Sequence, residues 1–224
     1  MHYVKSKAFT LIEILVVVGI LALLISIIVP VLGRARVHAK VTAVNAELYQ
    51  IGLALEMYGI DNNNKFPPAR ADCNADARKH VYALPPELCN KKYLPSGQIG
   101  KIKFANIEDR FNPGCTYKYI TAGTIYDYYI GTPYVQYLYI PEGFPDGIKT
   151  NLIKYGDAGK SPVSWAIFSV GPKFDIDLEQ TTLPIKKGYP IKKSFWYTPT
   201  NDKGVITRIR TKKNGKHVGS FELN

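Results

Sequence analysis

Residues 5–36 read "KSKAFTLIEILVVVGILALLISIIVPVLGRAR", and a single carboxylate in them, Glu13, decides how the chain is understood. Between Ala8 and Gly33 no other side chain ionises. From Ile14 to Leu32 run nineteen residues, almost all Ile, Leu, Val or Ala. As a helix they span roughly 28 Å, close to the thickness of a bilayer core. A carboxylate in such a place costs at least ~2.5 kcal/mol on membrane-insertion scales, so its presence calls for a reason.

The local reason comes first. Thr10 and Glu13 have the Thr-x-x-Glu spacing of a capping box, which satisfies the free amides of a first helical turn, where the helix dipole also favours an acid. This leaves "KAF" directly ahead unexplained. Lys5 and Lys7 also suit the basic start of a secretory signal peptide. Against that, the apolar core is longer than the usual signal core, and "VLGRARVHAK" after it has no clear small-x-small exit. A plain signal anchor is the remaining alternative.

The stretch "KAFTLIEILVVVGILALLISIIVP" resembles the N-terminus of type IV prepilins and type II secretion pseudopilins. In that family a short basic leader ends in a small residue, Phe follows, and Glu stands four residues beyond it. The resemblance implies cleavage by prepilin peptidase between Ala8 and Phe9, with Ala8 where Gly is usual, and N-methylation of Phe9. It also implies that Glu13, with Thr10 beside it, acts in assembly by pairing with the amine of a neighbouring subunit. A lone carboxylate in an apolar bundle is strongly penalised and a paired one much less so, and such pairs choose register more than they add stability. Gly19 and Pro30 fall where family members carry helix-loosening residues.

Two further segments carry the likeness. "LYQIGLALEMYGIDNNNKFPP" (48–68) is similar to a pseudopilin stretch, with Asn64 where Gly is often found; "SWAIFSVGPKFDID" (164–177) and "FWYTPTNDKGVITRIR" (195–210) are similar to its C-terminal segments. The match covers the first 68 residues well and the last 60 in patches. Residues 70–160 match nothing named.

Beyond the apolar run the helical pattern continues. Val37, Val41, Val44, Leu48, Ile51, Leu55 and Tyr58 step by four and three, drawing one apolar stripe, with Lys40, Thr42, Asn45, Glu47 and Gln50 opposite. Gly59 and "DNNNKFPP" end it. Pro30 is expected to kink or locally melt the helix, having no amide to donate. Further on, "WAIFSV" reads as a strand ended by Gly171-Pro172, "PTNDKG" as a turn, and "VITRIRTKKNGKHVGSFEL" as a hairpin around a two-residue Asn214-Gly215 turn. The expected fold is α+β and pilin-like, a long N-terminal helix whose distal half packs on a small antiparallel sheet. The expected organisation is a leader at 1–8, a transmembrane and assembly helix at 9–33, its amphipathic continuation at 34–58, and an exported β-rich domain at 59–224.

The other candidates are weaker in pattern. Cys73 and Cys89 flank a loop-like stretch whose closure would contribute on the order of 3 kcal/mol, the alternatives being three reduced thiols or a pairing through Cys115. Asp175 and Asp177 form a D-x-D pair that can hold calcium, as major pseudopilins do in a C-terminal loop; the alternative is two exposed loop aspartates. Residues 117–140 hold eight tyrosines, which suit strand faces. With a net charge of +11 they raise a nucleic-acid reading, a competence-type pilin stacking bases on its tyrosines. His2, His38, His80 and His217 stand alone, and no H-E-x-x-H, G-x-S-x-G, Walker A or dinucleotide loop occurs. A membrane-anchored enzyme is the alternative from another class.

The family likeness implies a structural filament subunit of a pseudopilus or type IV pilus. Its partners would be prepilin peptidase, an inner-membrane assembly platform, further copies of itself, minor pilins and, before assembly, membrane lipid. Basic residues flank the apolar run evenly, Lys5 and Lys7 before it and Arg34, Arg36 and Lys40 after it, so charge alone does not orient it. The resemblance places the subunit in the inner membrane as a single-pass protein, with its C-terminal domain outside the cytoplasm and later in a periplasmic or cell-surface filament.

Overall fold

The computed structural model describes residues 10–72, 81–99, 102–103, 106–122, 124–127, 133–135, 159, 161, 163–173, 196–200 and 202–221. The chain divides into two compact units, Met1–Ala39 and Lys40–Asn224. Helix α1 spans Leu11–Asp61 and carries Pro30 inside it. Helical backbone runs through Pro30 without a break, so of the two expected outcomes, a kink or local melting, the melting does not occur.

The end of α1 lies three residues past the expected Tyr58, and its capping explains why. Asn62 Nδ2 donates to the Tyr58 carbonyl at 2.7 Å, and the Asn64 amide donates to the Gly59 carbonyl at 2.7 Å. Asn63 and Asn64 both adopt left-handed backbone, with φ of 57° and 58°. Asparagine tolerates that region better than other non-glycine residues. This is also the physical reason that Asn can stand at 64 where related sequences often carry Gly.

The distal part of α1 buries Val41, Val44, Leu48, Ile51, Gly52, Ala54, Leu55 and Gly59. The expected stripe is therefore present, with Val37 and Tyr58 only half-buried at its ends. It faces an antiparallel sheet of order β10-β9-β8-β5, built from β5 (Lys118–Thr121), β8 (Val163–Ser169), β9 (Ile206–Thr211) and β10 (His217–Gly219). Ile167 pairs with Tyr119 on one side and Arg208 on the other, and a register shift separates Val163 from Trp165. The approach is close at Gly52, where a Cβ would meet Arg208 Nε at 3.1 Å and the Trp165 ring at 3.3 Å. Trp165 is fully buried, its ring edge-on to Phe66 at 6.5 Å, and Arg210 lies over the Phe66 ring at 5.2 Å.

The β9–β10 hairpin forms, but not with the two-residue turn expected. Thr211 N–H donates to the Lys216 carbonyl at 2.8 Å, closing a loop of Lys212 to Gly215. A type I′ turn needs positive φ at both central residues, and here Gly215 has it while Asn214 does not.

A second sheet, β2-β1-β6-β7, was not expected. It holds β1 (Ala69–Asp72), β2 (Val81–Tyr82), β6 (Thr124–Asp127) and β7 (Pro133–Val135), and β1 runs parallel to β6. A two-stranded piece, β3 (Gln98–Ile99) with β4 (Ile102–Lys103), and a short helix α2 (Pro86–Asn90) opening on Pro86 complete the described elements.

Candidate functional site

The site begins at the first turn of α1. Thr10 N–H donates to Glu13 Oε2 at 2.8 Å, the Thr10 hydroxyl donates to the same oxygen at 2.8 Å, and Glu13 N–H donates back to the hydroxyl at 3.3 Å. The capping box is thus complete, each residue satisfying the other's amide. Ala8 and Phe9, the expected cleavage and methylation positions, lie outside the described residues.

From this cap onward the helix is apolar on every side. All seventeen Leu, Ile and Val residues from Leu11 to Leu32 are exposed, from 48 % at Leu24 and Leu32 to 83 % at Leu11. Ser26 turns its hydroxyl inward, donating to the Leu23 carbonyl at 2.7 Å. Around Gly19 and Gly33 there is open space. Burying one such side chain stabilises by about 1.5–3 kcal/mol, so the segment as a whole holds tens of kcal/mol in unburied apolar surface. A folded domain is stable by only ~5–15 kcal/mol. Water is not a tenable surrounding for it. Among the described residues α1 is the one helix long and apolar enough to cross a membrane.

In the second unit the charged groups of α1 tie it to the sheet. The Tyr117 phenol donates to Glu47 Oε2, and Arg110 binds Glu47 Oε1 through Nε at 2.9 Å and through Nη2. Glu47, expected on the solvated face, is instead a link between α1 and the segment leading into β5. Burial first, and then the Glu47 bond, push the Tyr117 phenol far above its ordinary pKa, so it stays a donor. Glu56 holds Arg210 Nε at 2.6 Å and faces His217 Nε2 at 3.3 Å. Asp109, fully buried, accepts from the Ser169 hydroxyl at 2.6 Å and from the amides of Phe111 and Val170. Burial raises its pKa, against these donors and the Lys118 charge. Acid pairs of this kind fix a loop; they do not form a site, and among the described residues no three His, Cys, Asp or Glu side chains converge on a metal position.

The remaining candidates divide. Asp175 and Asp177 lie outside the described residues; next to them Lys173 Nζ sits 3.6 Å from Asp202 Oδ2. Cys89 is a buried thiol, 3.6 Å from the Pro95 carbonyl oxygen, and Cys73 lies outside the described residues. Tyr117 and Tyr119 are wholly buried, Tyr119 donating to the Pro67 carbonyl at 2.7 Å, so neither ring is open to a base. Tyr128, Tyr129, Tyr137 and Tyr139 lie outside the described residues. The sequence pattern missed the roles of Glu47, Glu56 and Asp109, whose side-chain partners are 60 or more residues away. No local spacing marks such pairs.

Comparison with known proteins bears on the same segment. The signature of the prokaryotic N-terminal methylation motif matches residues 4–29. The type II secretion system core protein G of Pseudomonas aeruginosa is 32 % identical over 120 residues, covering 54 % of this chain and 77 % of the relative. Core protein G of Aeromonas hydrophila is 30 % identical over 114 residues, 44 % of this chain and 79 % of the relative. The type IV wide pilus major component PilA4 of Thermus thermophilus is 46 % identical over 60 residues, 27 % of this chain and 46 % of the relative. No solved structure matches the chain.

Proposed function

This chain belongs to the pilin and pseudopilin family, and from that membership we propose that it is the processed, polymerising subunit of a type II secretion pseudopilus. The family supports a filament subunit, a structural part and not an enzyme. The observation that carries the finer reading is the pairing of a capped, charged first turn with a run of exposed apolar residues. Prepilin peptidase cuts between Ala8 and Phe9 and methylates Phe9. The apolar run then rests in the inner membrane with the C-terminal domain outside the cytoplasm, until the assembly platform moves it into the filament. There the run packs against other copies, and Glu13 meets the Phe9 amine of a neighbour, the capping bond exchanged for a charge pair. The Thermus thermophilus pilus relative favours a second reading, the same subunit physics in a type IV pilus.

The test is the intact mass of the membrane form, from cells with an active peptidase. The expected chain begins at N-methyl-Phe9, and Ala8→Leu blocks cleavage; a chain still carrying residues 1–8 would overturn the proposal. Calcium at Asp175 and Asp177 is part of the same reading, although a lysine, Lys173, stands two residues before Asp175 in the sequence. If the ion binds, chelation lowers the melting temperature and calcium restores it, by ~2.7 kcal/mol at a hundredfold excess over Kd. An unchanged melting curve would leave both residues as plain loop aspartates.

A further inference from the structure

Just past the apolar run stand two arginines for which the filament reading gives no role. Arg34 and Arg36 are exposed, and neither has an ion-pair partner among the described residues. Along α1 no acid occurs between Glu13 and Glu47, and Glu47 is already occupied by Tyr117 and Arg110. Two residues apart on a helix means about 200° of rotation, so the two guanidinium groups leave on opposite sides. One protein surface cannot face both; a ring of anions can. Between and before them are Ala35 and Gly33, small enough to let such groups approach, and Gly33 has open space around it.

Depth selects which anions. Ile14 to Leu32 matches the bilayer core at about 28 Å, and Arg34 follows Leu32 by two residues, about 3 Å further along the axis. A guanidinium there lies at the level of the headgroups, where its stem remains against apolar surface and its planar fork binds phosphate through two hydrogen bonds. We propose that Arg34 and Arg36 form a collar that binds the phosphates of anionic phospholipids around the helix. The inference rests on the reading of Ile14–Leu32 as a membrane span, and holds for either orientation of that span. The lipid collar holds the subunit at a fixed depth before assembly, and extraction into the filament has to break it.

The experiment uses the full chain in phosphatidylcholine vesicles at 0.1 M salt, with trace spin-labelled phosphatidylglycerol or phosphatidylcholine. The probe is the fraction of each label immobilised against protein. Charge-assisted contact of each guanidinium with a net-negative headgroup favours that lipid over a zwitterionic one, so the parent should immobilise the anionic label several-fold more than the neutral one. The preference should fall towards one in Arg34→Gln/Arg36→Gln, and in the parent at 1 M salt. Immobilised lipid with no anionic preference, or the same preference in parent and variant, would overturn the collar and leave the span standing. No immobilised lipid in the parent would overturn the span and the collar together.

Discussion

The two parts of α1 treat the same kinds of side chain in opposite ways. In the distal part Leu48, Ile51 and Leu55 are at most 1 % exposed, on one face turned to the β-sheet. In the proximal part Leu21, Leu23, Leu24 and Ile25 are 48–63 % exposed, on faces all around the helix. The distal apolar residues are answered within the chain. Among the described residues nothing covers the proximal ones, and lipid or other subunits would supply their burial. Apolar content alone says nothing of where a helix goes; its angular distribution does.

Breaking this contrast at its polar end should have the largest effect. Glu13→Ala is expected to leave insertion and Phe9 processing intact, since removing a charge eases entry into a membrane, and yet to abolish efficient filament growth. The cap alone would predict a loss of ~1 kcal/mol, with fraying and mild assembly loss. Glu13→Gln separates the two, because Gln serves a capping box but cannot neutralise an amine. Filament yield by electron microscopy, beside immunoblots of processed subunit, decides; parental assembly by Glu13→Gln would leave the cap as the sole role.

Next in size is the difference between the two leucines that best represent the two parts. Leu48→Ala should destabilise the folded second unit by about 2–5 kcal/mol, through lost burial and a residual cavity. Leu23→Ala should leave its unfolding midpoint unchanged, since Leu23 is 63 % exposed. Chemical denaturation of the full chain in detergent reads both, and an equal loss for the two would show that the proximal part contributes to the domain's stability.

The smallest effect sharpens the distal part alone. Glu47→Ala leaves the buried Tyr117 phenol without its acceptor, a cost of about 1–3 kcal/mol. Glu47→Gln keeps an acceptor for the phenol and should recover most of it, although Arg110 loses its ion pair, because Arg110 is half exposed and such pairs contribute little. If the Gln variant is as unstable as the Ala variant, the arginine pair matters more than the phenol.

Much of this contrast could be read from the residues. The cap at Thr10 and Glu13, the stripe from Val41 to Leu55, the strand at Val163–Ser169 and the hairpin near Gly215 each depend on neighbours within a few positions, and all four are present. The tyrosine-rich residues 117–140 suited strand faces and hold β6 and β7, but the second sheet's pairing was not legible: its strands are two to four residues long, and β1 and β6 pair in parallel across more than fifty residues. The clamp residues Glu47, Glu56 and Asp109 escaped for the same reason, because a carboxylate's partner across the fold leaves no trace in its own sequence surroundings. At Pro30 the helix does not melt: a missing amide removes one backbone bond, and the remaining helix carries through it.

Gly52 has a consequence for how the gene can change. A helix turns about 100° per residue, and at Gly52 even a methyl group would press on Arg208 at 3.1 Å and on the Trp165 ring at 3.3 Å. Insert or delete one codon between Val41 and Gly52, and every apolar side chain upstream of the change swings by that angle away from the sheet. In the nineteen residues of the apolar run the same event alters length by about 1.5 Å and leaves every direction as oily as before. Length variation should therefore be tolerated in the uniform segment and purged from the docked one, with Gly52 as the point that pins the reading frame of the helix to the sheet.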